Sequence, residues 1–475
     1  MNTIKKKVKI IATIGPASRT KEKIWELHQA GANIFRMNFS HGDHSDHIQV
    51  INWVRDLNKE HNTNICLLQD LQGPKIRTNK IENDGVEIKS GEIITIESGD
   101  FEGSASRIST TYKTIAQDVK KGDPIMIDDG NLELCVESTD GSKVIARVVF
   151  GGILKSRKGI NLPSTIISEP SLTEKDHKDL LFGIEQDVDW IALSFVRSAQ
   201  DIIDLKEIIK SKGKDIKVIS KVEKPEAIEN MDEIIEATDA LMVARGDLGV
   251  EIDMAKVPLI QKELIEKCNK AKKPVIVATQ MLESMITNPR PTRAETNDVA
   301  NAIMDGADVV MLSGESAAGL YPNEAVSAMC RIIQEVEANT DKIYNKNYGV
   351  ISSEDTSVNE AVISSACQLA ERTGARAIVG MTESGFTAYS IAKHRPKADI
   401  YVFTNNKALL TRLNLIWGVT AFYYDKESNA EDTITEVRDF LKKKGFLSSG
   451  DIIVSTLALP SWKNNKTNML KLSEV

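Results

Sequence analysis

What most constrains this chain is an alternation. From residue 8 onward, short runs rich in Val, Ile and Leu take turns with segments of helical period. Eight runs have strand character, at 8–14, 33–38, 65–70, 189–195, 216–222, 239–244, 274–279 and 308–313. Between them, at 21–30, 46–60, 201–211, 225–236, 258–271, 294–304 and 322–338, lie helical segments often opened by Pro or an acidic residue. Repeated βα units build a parallel sheet buried on both faces, which is why its strands read as unbroken apolar runs. Eight such units predict an α/β fold, a (β/α)8 TIM barrel. Reactive groups in that architecture sit at the carboxyl ends of the strands. Polar residues fall there: Arg36, Asn38 and Ser40 after the second run, Asp70 after the third, Lys221 and Glu223 at the fifth, Asp247 after the sixth, Thr279 at the seventh, Ser313 and Glu315 after the eighth.

The alternation breaks twice. Between about 74 and 170 the stretches EIITIES, DPIMIDDGNLELCVES and KVIARVVF, separated by Gly, Asp and Ser, predict a small β-barrel lid domain inserted in a barrel loop. Gly73-Pro74 and Glu169-Pro170 are stiff joints about which such a lid can swing. After about residue 340, NKNYGVISSEDTS reads as a linker. Helices at 357–372, 386–394, 406–415 and 429–444 then alternate with strands at 376–381, 399–404, 419–424 and 451–456, predicting a C-terminal open parallel α/β domain. The expected layout is a barrel from 1–73 and 171–340, a lid from 74–170 and a C-terminal domain from 341–475. In the turn TESGFT, Thr382, Ser384, Gly385 and Thr387 offer hydroxyls and amides at a helix start, suited to a phosphate.

Composition excludes several classes. A net charge of −8 without a long basic run leaves no footprint for nucleic acid. The five cysteines are widely spaced and mostly in apolar runs, so neither a disulfide framework nor a CxxC metal site is indicated. Lys5, Lys6 and Lys7 precede an apolar run that is short, carries Lys9 and ends at Gly15-Pro16, so it reads as a first strand and not as a signal segment. No run approaches the roughly 18 apolar residues of a membrane span. A cytoplasmic enzyme with no membrane partner is expected.

The chemistry centres on SKVEK, 220–224, and ARGDLG, 244–249. Lys221 and Glu223 are two apart, so in extended chain they point to one side. Asp247 follows Arg245-Gly246 at a helix start whose backbone N–H groups can hold an anion. Glu223 and Asp247 on neighbouring strands suit Mg²⁺, and ion pairs with nearby cations are the alternative. An ammonium at an interior strand end needs matching negative charge, from Glu223 or from a phosphoryl group or enolate. Arg36, Asn38 and Ser40 on one side of an extended FRMNFSHG could grip a phosphate, or form merely a polar strand end. Arg77 and Lys158 flank the lid and could bring charge to a polyphosphate. Thr279 and Ser313 could relay a proton, or cap the next helix. HGDHSDH, 41–47, is one residue too long for the HxHxDH of metallohydrolases, and Asp46 or Ser45 as a helix cap explains it better.

IATIGPAS, FRMNFSHG, LQDLQGPKIRT, KGINLP, ISKVEKPEAI, MVARGDLGVEI, ATQMLESMITNPRPTRAE and DVANAIMDGADVVMLSGESAAGLYP, with the C-terminal unit, closely resemble the pyruvate kinase family over almost the whole chain. The resemblance implies a barrel with an inserted lid and a C-terminal regulatory domain, and phosphoryl transfer from phosphoenolpyruvate to ADP. It implies that Glu223 and Asp247 hold Mg²⁺, with Mn²⁺ as a substitute, and that Gly246, Asp247 and Thr279 contact the substrate. It gives Lys221 and Arg36 the neutralisation of the phosphoryl group and enolate, and proton return to Thr279 or a water chain through Ser313. Asn38, Ser40, His41, Arg77 and Lys158 match positions handling the nucleotide, whose ADP brings a second Mg²⁺. The family is usually a homotetramer.

Three departures stand out. Many members hold K⁺ near Asn38, Ser40, Asp70 and a threonine, with a glutamate four residues beyond; those last two positions are Leu71 and Lys75 here. The Lys75 ammonium could replace the cation, so K⁺ is expected to be dispensable. Ala318 stands where some relatives carry lysine, with no consequence attached. TESGFT resembles the effector-phosphate loop, but SWKNNKTN is not its glycine-rich partner, so an effector of the phosphorylated sugar or nucleotide kind is expected without its identity. The rival readings are a Mg²⁺-dependent aldolase or lyase acting on a pyruvate enolate, and a non-catalytic metabolite sensor.

Overall fold

The eight apolar runs pair into one closed parallel barrel. The computed structural model describes residues 5–346, 357–426, 428–459 and 466–475. The barrel strands are Lys9–Ile14, Ile34–Asn38, Cys66–Asp70, Trp190–Leu193, Lys217–Val222, Ala240–Ala244, Val275–Ala278 and Val309–Leu312, adjacent in chain order, with the eighth closing on the first. Every residue of KIIATI, WIAL, ALMVA, VIVA and VVML is buried, as a sheet covered on both faces requires. Helices start where their sequences supply caps: Thr20 for Lys21–Ala30, and capping boxes at Thr173 and Thr292 for Glu174–Glu185 and Arg293–Asp305. The helix expected over 225–236 is two, Pro225–Glu229 and Met231–Ala237. The fourth strand stops at Leu193, short of the expected 195, because Phe195 turns to φ 55°.

The insertion after the third barrel strand contains a six-stranded sheet and a separate two-stranded ribbon, Gly85–Ile88 with Gly152–Lys155. It carries its own apolar core, with Ile94, Ile96, Leu134 and Val144 fully buried.

The C-terminal sheet runs Val419–Tyr423, Asp399–Thr404, Ala377–Met381, Ile452–Leu457, Met469–Glu474. Four of these strands are parallel as expected, but Met469–Glu474 pairs antiparallel with Ile452–Leu457, so the sheet is mixed. This half-exposed edge strand lacks the continuous apolar run that betrays a buried one. Of the expected linker, 347–356 lie outside the described residues, as do 461–465 of SWKNNKTN. The domain docks against the amino ends of the barrel strands, where Lys9 Nζ donates to Val419 O at 2.8 Å and Arg395 pairs with Asp308 at 2.8 Å. The carboxyl ends are left to the lid.

Candidate active site

Three neighbouring strand ends converge. Asp70 closes the third strand, opposite Asn38 of the second and Ala192 of the fourth. Leu193 pairs with Ser220, which sets Ser194 beside Lys221. Strand alternation turns Lys221 and Glu223 to one side, as the sequence suggested, and Lys221 Nζ lies 2.9 Å from Glu223 Oε1 and 3.3 Å from Asp70 Oδ1. Its hydrogen bond goes to Ser194 Oγ at 2.7 Å. The other Asp70 oxygen accepts from Arg36 Nε at 2.6 Å, and Arg36 also donates to Thr13 Oγ1 at 3.0 Å.

These groups set one another's charge. Burial acts to strip the Lys221 proton, but Asp70 and then Glu223 outweigh it and raise the ammonium above its ordinary value. Burial would likewise neutralise Asp70, yet Lys221 and Arg36 hold it below the usual carboxylate range. Glu223 is raised, first by burial, with Lys221 opposing and Asp247 adding like-charge repulsion. Two carboxylates close enough to repel, one buried and one partly open, are a donor pair that a hard dication relieves. The residues fit Mg²⁺, with water and substrate oxygens to complete its shell. Glu223 is aimed by its second oxygen, which accepts the Phe195 N–H at 2.7 Å.

The family model described as pyruvate kinase, barrel domain, matches residues 5–326, and that described as pyruvate kinase, alpha/beta domain, matches 360–473. The chain is 44% identical over 476 residues to a pyruvate kinase of Geobacillus stearothermophilus, covering 99% of this chain and 80% of that protein. It is 42% identical over 476 residues to one of Clostridium perfringens, covering 99% and 100%. The chain belongs to the pyruvate kinase family.

Within this pyruvate kinase scaffold several expected donors are already engaged. The Gly246 N–H, expected to be free for an anion, donates to Thr279 Oγ1 at 2.7 Å, and that hydroxyl passes its own proton to Ala278 O at 2.6 Å. Thr279 does this from φ 67°, a costly conformation for a β-branched residue. The helix opens at Arg245, whose guanidinium reaches Asp298 at 2.7 Å and Thr279 O at 2.8 Å, and Asp247 lies in its first turn. Ser313 stands at the N-cap of Gly314–Ala317, but its side chain makes no capping bond; its hydroxyl is buried without a partner among the described residues, while its N–H donates to Glu315. Ser40 is not in extended chain with Arg36 and Asn38. The strand ends at Asn38, whose side chain accepts the Ser40 N–H at 3.1 Å and closes a turn.

Of the remaining expected residues, His41 lies near Arg77 and Arg36. His41 is held below its ordinary value by burial and then by Arg77, Lys75, Arg36 and Lys175. Lys75 Nζ also lies 3.9 Å from Asp247. Lys158 is bound inside the lid to Asp128 at 2.7 Å, and Arg77 to Arg157 O at 3.2 Å. The helix in the histidine cluster is capped by Asp43, not by Ser45 or Asp46; Asp43 accepts the Asp46 N–H at 3.0 Å, and His44 turns to Asp179 and His47 to His41 O. In the C-terminal turn, Thr382 accepts the Gly385 N–H at 3.0 Å and Ser384 the Phe386 N–H at 3.4 Å. Thr387 is buried against Met381 O and Thr467 Oγ1, so its hydroxyl is not presented to a ligand.

Sequence reasoning missed Ser194, the Phe195 N–H and Thr13. Ser194 lay inside an apolar run, WIALSF, and only the true end of that strand exposes it as a strand-end residue.

Proposed function

We propose that this chain transfers the phosphoryl group of phosphoenolpyruvate to ADP, giving pyruvate and ATP in the last step of glycolysis, through Lys221 and Arg36. The observation that carries the reading is the Lys221 ammonium set between Asp70 and Glu223, with Arg36 on the far oxygen of the same Asp70. Two fixed cations in a buried site meet the charge of a phosphoryl group in flight and of the enolate left behind, and preorganised charge is the main resource of phosphoryl-transfer enzymes. Glu223 and Asp247 are the residues to hold Mg²⁺ or Mn²⁺, which when bound neutralises the substrate's carboxylate and phosphoryl oxygens. Asp247 and Thr279 orient the substrate, the Thr279 hydroxyl being held by the Gly246 N–H. Proton return runs through Thr279 or a water chain at Ser313, and the unpartnered Ser313 hydroxyl supports the second route.

Asn38, Ser40, His41, Arg77 and Lys158 take ADP with its second Mg²⁺ as the lid, 74–170, closes. The four cations around His41 support a polyphosphate there, a need that an aldolase or lyase lacks. Lys75 replaces K⁺, on the ground of its place four residues beyond Leu71. The same reading takes the protein to the cytoplasm as a homotetramer, with 341–475 regulatory and a phosphorylated sugar or nucleotide at Thr382, Ser384 and Gly385, the buried Thr387 hydroxyl taking no part.

The test is ATP formation from phosphoenolpyruvate and ADP with Mg²⁺. Turnover should persist with Na⁺ or Tris as the only monovalent cation. A strong loss without K⁺ ends the role given to Lys75, and no ATP with K⁺, Mg²⁺ and candidate effectors all present ends the main reading.

A further inference from the structure

Lys221 Nζ donates one hydrogen bond among the described residues, to Ser194 Oγ at 2.7 Å, and forms ion pairs with Glu223 Oε1 at 2.9 Å and Asp70 Oδ1 at 3.3 Å. The hydrogen bond gives the ammonium its direction, and the ion pairs balance its charge. Two of the partners are carboxylates, whose negative charge dulls the pull of the ammonium on an anion. Ser194 is neutral, makes the shortest contact, and leaves the charge of Lys221 undiminished. Its direction is fixed as well. The Ser194 hydrogen goes to Leu71 O at 2.6 Å, with Asp70 Oδ1 a distant second acceptor at 3.5 Å, so an oxygen lone pair faces Lys221. Ser194 is 1% exposed, away from bulk solvent.

The turn that carries Ser194 also reaches the lid. Leu71 follows the third strand and leads into Gly73-Pro74, the start of the lid. Gly73 sits against the same turn, where a Cβ on it would come 2.7 Å from the Phe195 ring and 3.0 Å from Ser194 Cβ. The next residue, Phe195, holds Glu223 through its N–H. One two-residue turn thus touches the ammonium, the buried carboxylate and the root of the lid.

We propose that Ser194 is a positioning residue for phosphoryl transfer: by accepting from Lys221 and donating to Leu71 O, it fixes the ammonium at the site mouth in register with the root of the lid. Without it, Lys221 keeps its charge but settles between Asp70 and Glu223, away from the transferring group. The loss then falls on the transition state and spares ground-state binding.

This rests on the catalytic role given to Lys221, so Lys221→Met is assayed beside Ser194→Ala and Ser194→Cys, which replaces the hydroxyl with a weak acceptor of similar shape. Ser194→Thr serves as rescue. Ser194→Ala and Ser194→Cys should lower kcat by about tenfold to a hundredfold, the scale of an ångström's misplacement, with KM for phosphoenolpyruvate and thermal midpoint little changed. Ser194→Thr should recover most of kcat. If kcat of both hydroxyl-free variants stays within about twofold of the parent while Lys221→Met is inactive, the proposal fails and the role of Lys221 stands. A kcat loss matched by a fall in thermal midpoint, and not rescued by threonine, marks a structural role and also overturns it. Near-normal turnover of Lys221→Met removes the catalytic reading and the proposal with it.

Discussion

Lys221 is 9% exposed and Asp70 and Glu223 are 1%, so each charge is tolerable only because the others are present. Lys221→Met removes a fixed cation from the point where negative charge develops. Turnover should fall by at least about a hundredfold, the cost of losing one such stabilising group. Steady-state assay on protein with native circular dichroism checks it. Thr279 makes the complementary case. Its φ of 67° costs on the order of 1–3 kcal/mol for a non-glycine residue, while its bond from Gly246 returns about 1 kcal/mol. Thr279→Gly should therefore leave the unfolding midpoint unchanged or raised while turnover drops, and a clear fall in midpoint would show that Thr279 is not strained for function. The strand-end rule picked out Lys221, Glu223, Asp70 and Arg36, and the structure brings these four together. The rule said nothing of which groups they would hold, because Thr13, Ser194 and the Phe195 N–H act through distances that only folding sets.

At the scale of elements, the barrel was readable because strands buried on both faces advertise themselves as apolar runs, and because Pro, Thr and acidic residues mark the helix starts between them. Elements without that signature were not read. Met469–Glu474 is a half-exposed edge, and the helix Gly314–Ala317 is too short to show a period. The end of the fourth strand was misplaced because SF continues an apolar run, whereas Phe195 has left extended conformation. That turn makes Gly73, at the root of the inserted domain, exacting on two counts. Gly73 sits at φ 68°, where alanine is strained, and an added Cβ would press on the Phe195 ring at 2.7 Å. Gly73→Ala should shift the turn, loosen the Phe195 N–H from Glu223 and raise the Mg²⁺ concentration for half-maximal activity by about tenfold, the scale of losing a group that orients a metal ligand. An activation curve superposable on that of the parent would show that Gly73 and the metal carboxylate are independent.

For the whole molecule, the barrel separates two kinds of surface. Its carboxyl ends carry the charged site under the lid; its amino ends seat the C-terminal domain through Lys9, Asp308 and Trp190, which donates to Arg412 O at 3.3 Å. That second seam is both apolar and charged. Arg395, 1% exposed, spans Asp308, Asn269 and Gly306 O and lies over Trp417. Lys9 is buried in the same seam, with no carboxylate in contact among the described residues, its ammonium donating to Val419 O. Burial and then Lys6 lower its pKa to about 7, with Lys7 adding and Glu337 opposing. An exposed lysine titrates near about 10.4, so between those values the unfolded chain binds a proton that the folded chain does not. The stability linked to Lys9 is thus fully present above the unfolded value and is lost as pH falls toward 7, by up to about 1.4 kcal/mol per pH unit. Lys9→Met deletes the titrating group and leaves Val419 O unpaired at a cost that does not vary with pH. The unfolding midpoint of the parent should therefore climb relative to Lys9→Met as pH is raised from about 7 towards 10. A difference between the two proteins that stays constant with pH would mean that Lys9 keeps its proton in the folded seam, and that the C-terminal domain is seated on a charged ammonium instead of a neutral amine.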